Sequence, residues 1–298
     1  MVINLSAAKN FMATHARLLD RRRFELLVGE GSADAVLNAL EAYRNPDGGY
    51  GHGLEPDLRS ATSQTGAALH AFEVFDDIAP LTSPRTVELC DWLSSVSLPD
   101  RGVPFALPIP DPAGCAPFWA GANSSVSSLQ ITAVVASMAH RVAAHDPEVA
   151  RHPWLAGATA FCLKSIGELG PKPHALELTF ALQLVDRVVG SKPEAQPLLE
   201  RLGKLIPADG VMHVVGGAED EAMRPLDFAP FPNRPSRAFF SSSTIDAELQ
   251  RLANKQRKDG GWEVDFDSYS PAAKLEWRGY MTVYALSLLK RNNVKQEK

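Results

Sequence analysis

The sequence predicts an all-α chain built from helical hairpins. Three observations carry that expectation: a near-repeat between the two ends of the chain, a turn motif that recurs with a period near fifty, and a scarcity of strand signals. "VLNALEAYRNPDGGY" (36–50) overlays "ELQRLANKQRKDGGW" (248–262) at a shift of 212 residues, which places Asp47-Gly48-Gly49-Tyr50 on Asp259-Gly260-Gly261-Trp262. Fixed-period self-similarity of this kind marks a repeat architecture, in which no single unit buries its apolar face alone.

Taken in order, each unit has a helical apolar pattern, a turn, a polar stretch and a second apolar helix. The first runs through the turn at 47–50 into "ATSQTGAALHAFEVF". The second has "LPDRGVPF", with Asp100 about 53 residues after Asp47, and continues into "SSVSSLQITAVVASMAH". A degenerate unit, "FCLKSIGELGPKPHALELTFALQLV", sits midway to "IPADGVMHV", where Asp209 lies 50 residues before Asp259. The last closes with "KLEWRGYMTVYALSLL". That makes five units, and the N-terminal helix pairs with the C-terminal end as a sixth, in one domain over 1–298. The turn chemistry has a reason: Asp-Gly-Gly ends a helix with positive-φ positions that glycine takes cheaply, and the aromatic that follows packs between hairpins. Extended pieces are confined to the neighbourhood of "MHVV" (212–215).

Composition fits this picture. The 298 residues are 45% hydrophobic and 22% charged, the balance of a globular protein with a sizeable core. A net charge of -5 with no Lys/Arg-dense surface argues against nucleic acid or an anionic membrane as partner. The exception, Arg21-Arg22-Arg23, reads as a solvated helix face. Cys90, Cys115 and Cys162 are odd in number and far apart, without metal or redox spacing, and read as reduced, buried thiols. No apolar run reaches the length of a membrane span, and the N-terminus lacks a signal-peptide core, so a cytoplasmic protein is expected.

The residues "NPDGGYG" (45–51) and "QRKDGGW" (256–262) resemble the prenyltransferase and squalene-oxidase repeat of terpenoid cyclases and protein prenyltransferase β subunits. The second is similar to the glutamine-tryptophan motif of squalene-hopene cyclases. The resemblance implies an (α/α)6 barrel, with the helices that follow the turns forming an inner ring around a cavity. It also implies that working groups gather where those inner helices begin, at one mouth of the cavity. There the sequence places Ser63 and Gln64, Ser124 to Ser128, His174 and Glu177, and Glu276 with Trp277 and Arg278.

The family's diagnostic motifs are missing. Where the cyclase pattern puts its acidic DxDD motif this chain has Glu276 alone, and "DFDS" (265–268) falls too early. None of the cysteines lies where the prenyltransferases hold zinc, and His174 with Glu177 lacks a third ligand, so no metal and no cofactor is expected. Glu276 remains a single acid or base if its surroundings desolvate it, or else one half of an ion pair with Arg278. His52, Glu55 and Asp57, three polar groups in a glycine- and proline-rich loop, are read either as a proton-transfer group at the cavity mouth or as caps of the next helix paired with Arg59 or Arg44. In "RPLDFAPFPNRPSR" (224–237) Asp227 is a candidate for a lid that lowers into the cavity, and Trp119, with Phe118, for an aromatic wall.

These observations predict a terpenoid-cyclase-like enzyme that binds a hydrophobic, isoprenoid-like small molecule and uses Glu276, Asp57, Glu55 and His52 for acid-base chemistry. Arg278, Trp277, Gln64, His174, Asp227 and Trp119 are its expected substrate contacts. Two alternatives stand beside it: a non-catalytic binding module on the same scaffold, and a carbohydrate-processing α/α barrel with paired carboxylates.

Overall fold

The computed structural model describes residues 3–294. They form fourteen α-helices, with one two-stranded ribbon as their only named sheet. The chain is therefore all-α, as the hairpin pattern predicts. Helices α1 (Leu5–His15), α2 (Leu18–Leu27) and α3 (Ala33–Leu40) open it. Then come α4 (Thr65–Asp77), α5 (Pro84–Val96), α6 (Pro117–Ala120), α7 (Leu129–Ala143), α8 (Pro147–Arg151), α9 (Pro153–Glu168), α10 (Ala175–Val188) and α11 (Ala195–Gly203). The last three are α12 (Pro225–Phe228), α13 (Ser242–Asn254) and α14 (Pro271–Arg291). The contacts group into two compact units: Met1–Ala39 with Ile206–Lys298, termed the terminal unit, and Leu40–Leu205, the central unit.

In the central unit, α7 packs between α4 and α10, with α5, α9 and α11 against these three. The reason is visible in their sequences. α7 buries residues on every side, from Leu129 and Ile131 through Ala136 to Val142, and a helix apolar all round belongs in a core. Small residues such as Ala67, Ala68 and Ala71 let α4 approach it closely. The starts of α4, α7, α10 and α14 fall at 65, 129, 175 and 271, within a few residues of the positions predicted from the turns.

The turns themselves repeat atom by atom. At 45–49, Asn45 N–H donates to Gly49 O at 2.9 Å, Gly48 N–H to Asn45 O at 3.1 Å, and Gly49 N–H to Asp47 Oδ1 at 2.9 Å. At 257–261 the same three bonds measure 2.9, 2.9 and 3.1 Å, with Asp259 as the acceptor. At 98–102 they measure 2.9, 2.8 and 3.1 Å, with Asp100 as the acceptor. The copy at 207–211 keeps two of them, Gly210 N–H to Pro207 O at 2.8 Å and Val211 N–H to Asp209 Oδ1 at 3.0 Å. Pro207 has no N–H with which to make the third. The aromatics after the two glycine pairs are fully buried: Tyr50 meets Phe75 edge-on, and Trp262 donates from Nε1 to Leu252 O at 2.8 Å.

The terminal unit is organised around α14, which packs on α1, α2 and α13 over a core that includes Phe11, Phe24, Trp262 and Leu286. The sequence's extended piece becomes half of the ribbon, in which Met212 pairs with Met223 and His213 with Ala222. No described helix is long and apolar enough to cross a membrane.

Candidate functional site

The loop after the first Asp-Gly-Gly turn closes on itself. His52 adopts a positive φ of 55°, and its N–H donates to Ser60 O at 2.7 Å. Its ring Nε2 meets Asn45 Oδ1 at 2.9 Å, while Asn45 Nδ2 donates to Ser63 Oγ at 3.1 Å and Ser63 Oγ donates to Asp47 Oδ1 at 2.7 Å. His52 is thereby tied to the turn, not to the acids that follow it. Glu55 and Asp57 are both buried, and neither caps the next helix, whose cap residue is Gln64. Arg44, one of the two arginines expected to pair with these acids, instead bridges Glu88 at 2.5 Å.

Glu55 has a partner that sequence reasoning missed. Its Oε2 lies 2.7 Å from His70 Nε2, and Glu73 Oε2 lies 3.0 Å from His70 Nδ1, so a buried imidazole is clamped between two carboxylates. Glu55 Oε1 also accepts the Asp57 N–H at 3.1 Å. Burial alone would lower the His70 pKa, but Glu73 and Glu55 outweigh it and push it up to about 9. The ring is therefore a cation at neutral pH. The only signal of this in the sequence is a histidine in the middle of an apolar helix, three residues before an acid.

Gln64 is buried and serves the fold: its Oε1 accepts Leu107 N–H at 2.9 Å and its Nε2 donates to Thr62 Oγ1 at 3.2 Å. Trp119 lies against Gly66 in the first turn of α4, tilted on Phe105 at 4.6 Å and on the exposed Phe118 at 5.6 Å. His174 is the cap residue of α10 without a side-chain capping bond, and burial raises the pKa of nearby Glu177 against the opposing pull of His174. Among the described residues no group of three or more His, Cys, Asp or Glu side chains is arranged to hold a metal.

The other candidates belong to the terminal unit, which holds a cleft of about 740 Å³ whose lining includes Arg278 but not Glu276, Trp277 or Asp227. One wall is the stretch from Glu263 to Ser268 after the second Asp-Gly-Gly turn, a second is the N-terminal part of α14, and a third comes from the ribbon loop and Arg224. Arg278 lines it and grips Asp259 with both contacts at 2.8 Å, while its Nε lies 4.0 Å from Glu263 Oε1. The guanidinium also stacks over Phe11 at 4.5 Å. The expected Glu276–Arg278 pair is thus replaced by pairs to Asp259 and Glu263, because the turn delivers its carboxylates to the same side of α14. Glu276 is half-buried one turn inside the helix. Trp277 is buried, edge-on to Phe266 at 5.1 Å.

Lys255, another wall residue, pairs with Asp265, which Arg251 also approaches at 3.7 Å. Asp227 sits in α12 next to this network. Its Oδ2 accepts the Arg224 N–H at 2.8 Å, and burial pushes its pKa up to about 6 against the pull of that bond and of Arg251. Of the ten predicted site residues, Arg278, Trp277, Glu276 and Asp227 therefore belong to the terminal unit, and His52, Glu55, Asp57, Gln64, Trp119 and His174 to the central one. Arg224 and Ser268 were missed; each is a single polar residue in a loop, and only the folded chain brings them to one cleft. No protein-family model and no curated protein matches this chain.

Proposed function

We propose that this chain is a terpenoid-cyclase-like hairpin-repeat enzyme that performs acid-base chemistry on a polar small molecule held in the cleft of the terminal unit. The observation that carries the reading is the lining: nine of the thirteen residues around the cleft are charged. Such a wall favours a polar ligand over the isoprenoid that the resemblance implies, since apolar surface gains nothing from burial against charge. The reading therefore moves toward the polar, carbohydrate-like substrate class and keeps the hairpin architecture. Closure of the hairpins into an (α/α)6 toroid is part of the same proposal, supported by four turns of common geometry at a common period.

Asp227, which lies behind the lining residue Arg224 and accepts its N–H, supplies the proton transfer. A carboxyl group that titrates near 6 exchanges a proton readily at neutral pH, which an ordinary aspartate does not. Arg278 and Lys274 orient the substrate. Thermal-shift screening of neutral and charged polyols and organic acids identifies the ligand class, and Asp227→Asn is then expected to abolish turnover while leaving ligand binding intact. Ligand protection of amide exchange confined to the central unit sinks this reading.

The binding-module reading keeps one observation in its favour. Asp259 and Asp265 are already matched by Arg278 and Lys255, a neutralised arrangement that suits holding a ligand better than moving its protons.

A further inference from the structure

We propose that Arg224, Ser268 and Arg278 form an oxyanion subsite in the cleft of the terminal unit, and that it takes the carboxylate of a singly charged organic acid. The proposal rests on the cleft reading above and names the ligand's defining group.

Three buried donors meet in this one cleft with no acceptor among the described residues: Arg224 Nε, Ser268 Oγ and Arg278 Nε. Buried donors almost always find acceptors, so three that line a common cleft point to an acceptor from outside the chain. Arg278 Nε comes nearest to satisfaction, but Glu263 Oε1 at 4.0 Å is beyond hydrogen-bond reach, and the Asp259 carboxylate is taken up by Nη2. Lys274 on the same wall is exposed and makes no ion pair among the described residues, unlike Lys255, which is held by Asp265. A ligand's hydroxyl groups could accept from these donors too, but each brings a further donor of its own and none brings a charge to meet the cations. An oxyanion, which accepts on every lone pair, matches this donor excess.

The charge of the lining selects among oxyanions. Arg224, Lys255, Lys274 and Arg278 face five acids, Glu219, Asp220, Glu263, Asp265 and Asp267, so the wall carries a formal charge of -1. A phosphate dianion or a diphosphate brings two or more charges against that background, whereas a carboxylate brings one and fits the two-pronged geometry that guanidinium groups offer. The rest of the ligand is neutral or cationic, to suit the acids.

The test uses the full chain labelled with ¹⁵N and titrated with gluconate, with sorbitol as its uncharged counterpart, and with phosphate and pyrophosphate. Gluconate is expected to shift the amides of Arg224 and of 264–268 saturably, and sorbitol to leave them unmoved at the same concentration. Arg224→Gln and Ser268→Ala are each expected to weaken gluconate binding, the former about tenfold, with unchanged melting temperature in the absence of ligand. Equal shifts with sorbitol, or none with either, overturn the subsite; tighter binding of phosphate or pyrophosphate overturns its assignment to a carboxylate. Saturable gluconate binding to a chain that turns nothing over leaves the subsite standing and removes only the enzyme reading.

Discussion

The two Asp-Gly-Gly turns share their backbone bonds and differ in what they are pressed against. At the first, a Cβ added to Gly48 would lie 3.1 Å from Glu88 O; at the second, a Cβ on Gly260 would lie 2.1 Å from the carbonyl of Ala7. The side-chain partner of the aspartate differs as well: Asp47 takes a hydroxyl from the buried Ser63, and Asp259 takes the guanidinium of Arg278. One turn is closed by a neutral group and leads into a sealed loop. The other is closed by a cation that also lines a cleft. A single repeat motif thus supplies a fold element in one place and part of a cleft wall in the other, and the partner of its aspartate differs between the two.

The largest expected effect separates conformation from packing at the first glycine. Both positions have positive φ, 89° at Gly48 and 97° at Gly260. Alanine at 48 meets the left-handed penalty and one tight contact, at a cost of about 2 kcal/mol. Alanine at 260 must also displace the backbone of α1, so the loss is expected to reach about 4 kcal/mol or more. Urea denaturation of Gly48→Ala and Gly260→Ala measures both, and equal losses would erase the distinction between the turns.

The sealed loop of the central unit ends on the Glu55–His70–Glu73 clamp, and its strength is readable through pH. The folded pKa of His70, about 9, lies above its ordinary 6.5. The stabilisation is therefore complete below about pH 6.5 and is lost as pH rises through 9. His70→Ala leaves two carboxylates facing a void and is expected to cost about 3 kcal/mol at pH 6, with the loss shrinking toward pH 9. A pH-independent loss would show that the ring is held neutral. The terminal unit shows the same direction of pH dependence, in a lower window, at Asp227, whose folded pKa of about 6 stands above its ordinary 3.8. Folding favours the protonated acid there, so this residue's contribution declines as pH rises from about 4 to 6. Asp227→Asn keeps an acceptor for the Arg224 N–H and removes the buried charge, for a gain of about 1 kcal/mol at pH 7. Chemical denaturation at pH 4 and pH 7 checks it, since the gain should vanish at the lower value.

The four turns and the starts of four helices were legible in the sequence because glycine geometry and apolar periodicity are local properties. Arg278 was also legible, through its register on the helix after a turn. The His70 clamp was not, since Glu55 joins it from fifteen residues away and an apolar helix commonly carries a lone histidine. The Glu276–Arg278 pair was misjudged for a related reason: two residues apart on a helix, their side chains diverge, and the acids that reach Arg278 come from the turn. Unanswered donors such as Ser268 Oγ have no sequence signature at all.

The smallest expected effect comes from the second copy of the turn, where the positive-φ position is Arg101, at 76°, in place of a glycine. This copy isolates the conformational cost from the packing that makes Gly260 indispensable. A non-glycine residue there gives up about 1 kcal/mol to left-handed strain. Against that, Arg101→Gly frees the unfolded chain, worth about 0.4 to 1 kcal/mol in the opposite direction. It also strips away the arginine stem, whose Cβ, Cγ and Cδ lie at 3.5 to 3.6 Å from the position a Gly157 Cβ would take. The three contributions nearly cancel, so the net change in unfolding free energy is expected to stay within about 0.5 kcal/mol. Urea midpoints of the wild type and Arg101→Gly measure it. A gain of about 1 kcal/mol or more would mean that strain outweighs the stem's packing, and that the glycines of the other turns are kept for their conformation as much as for the space they leave.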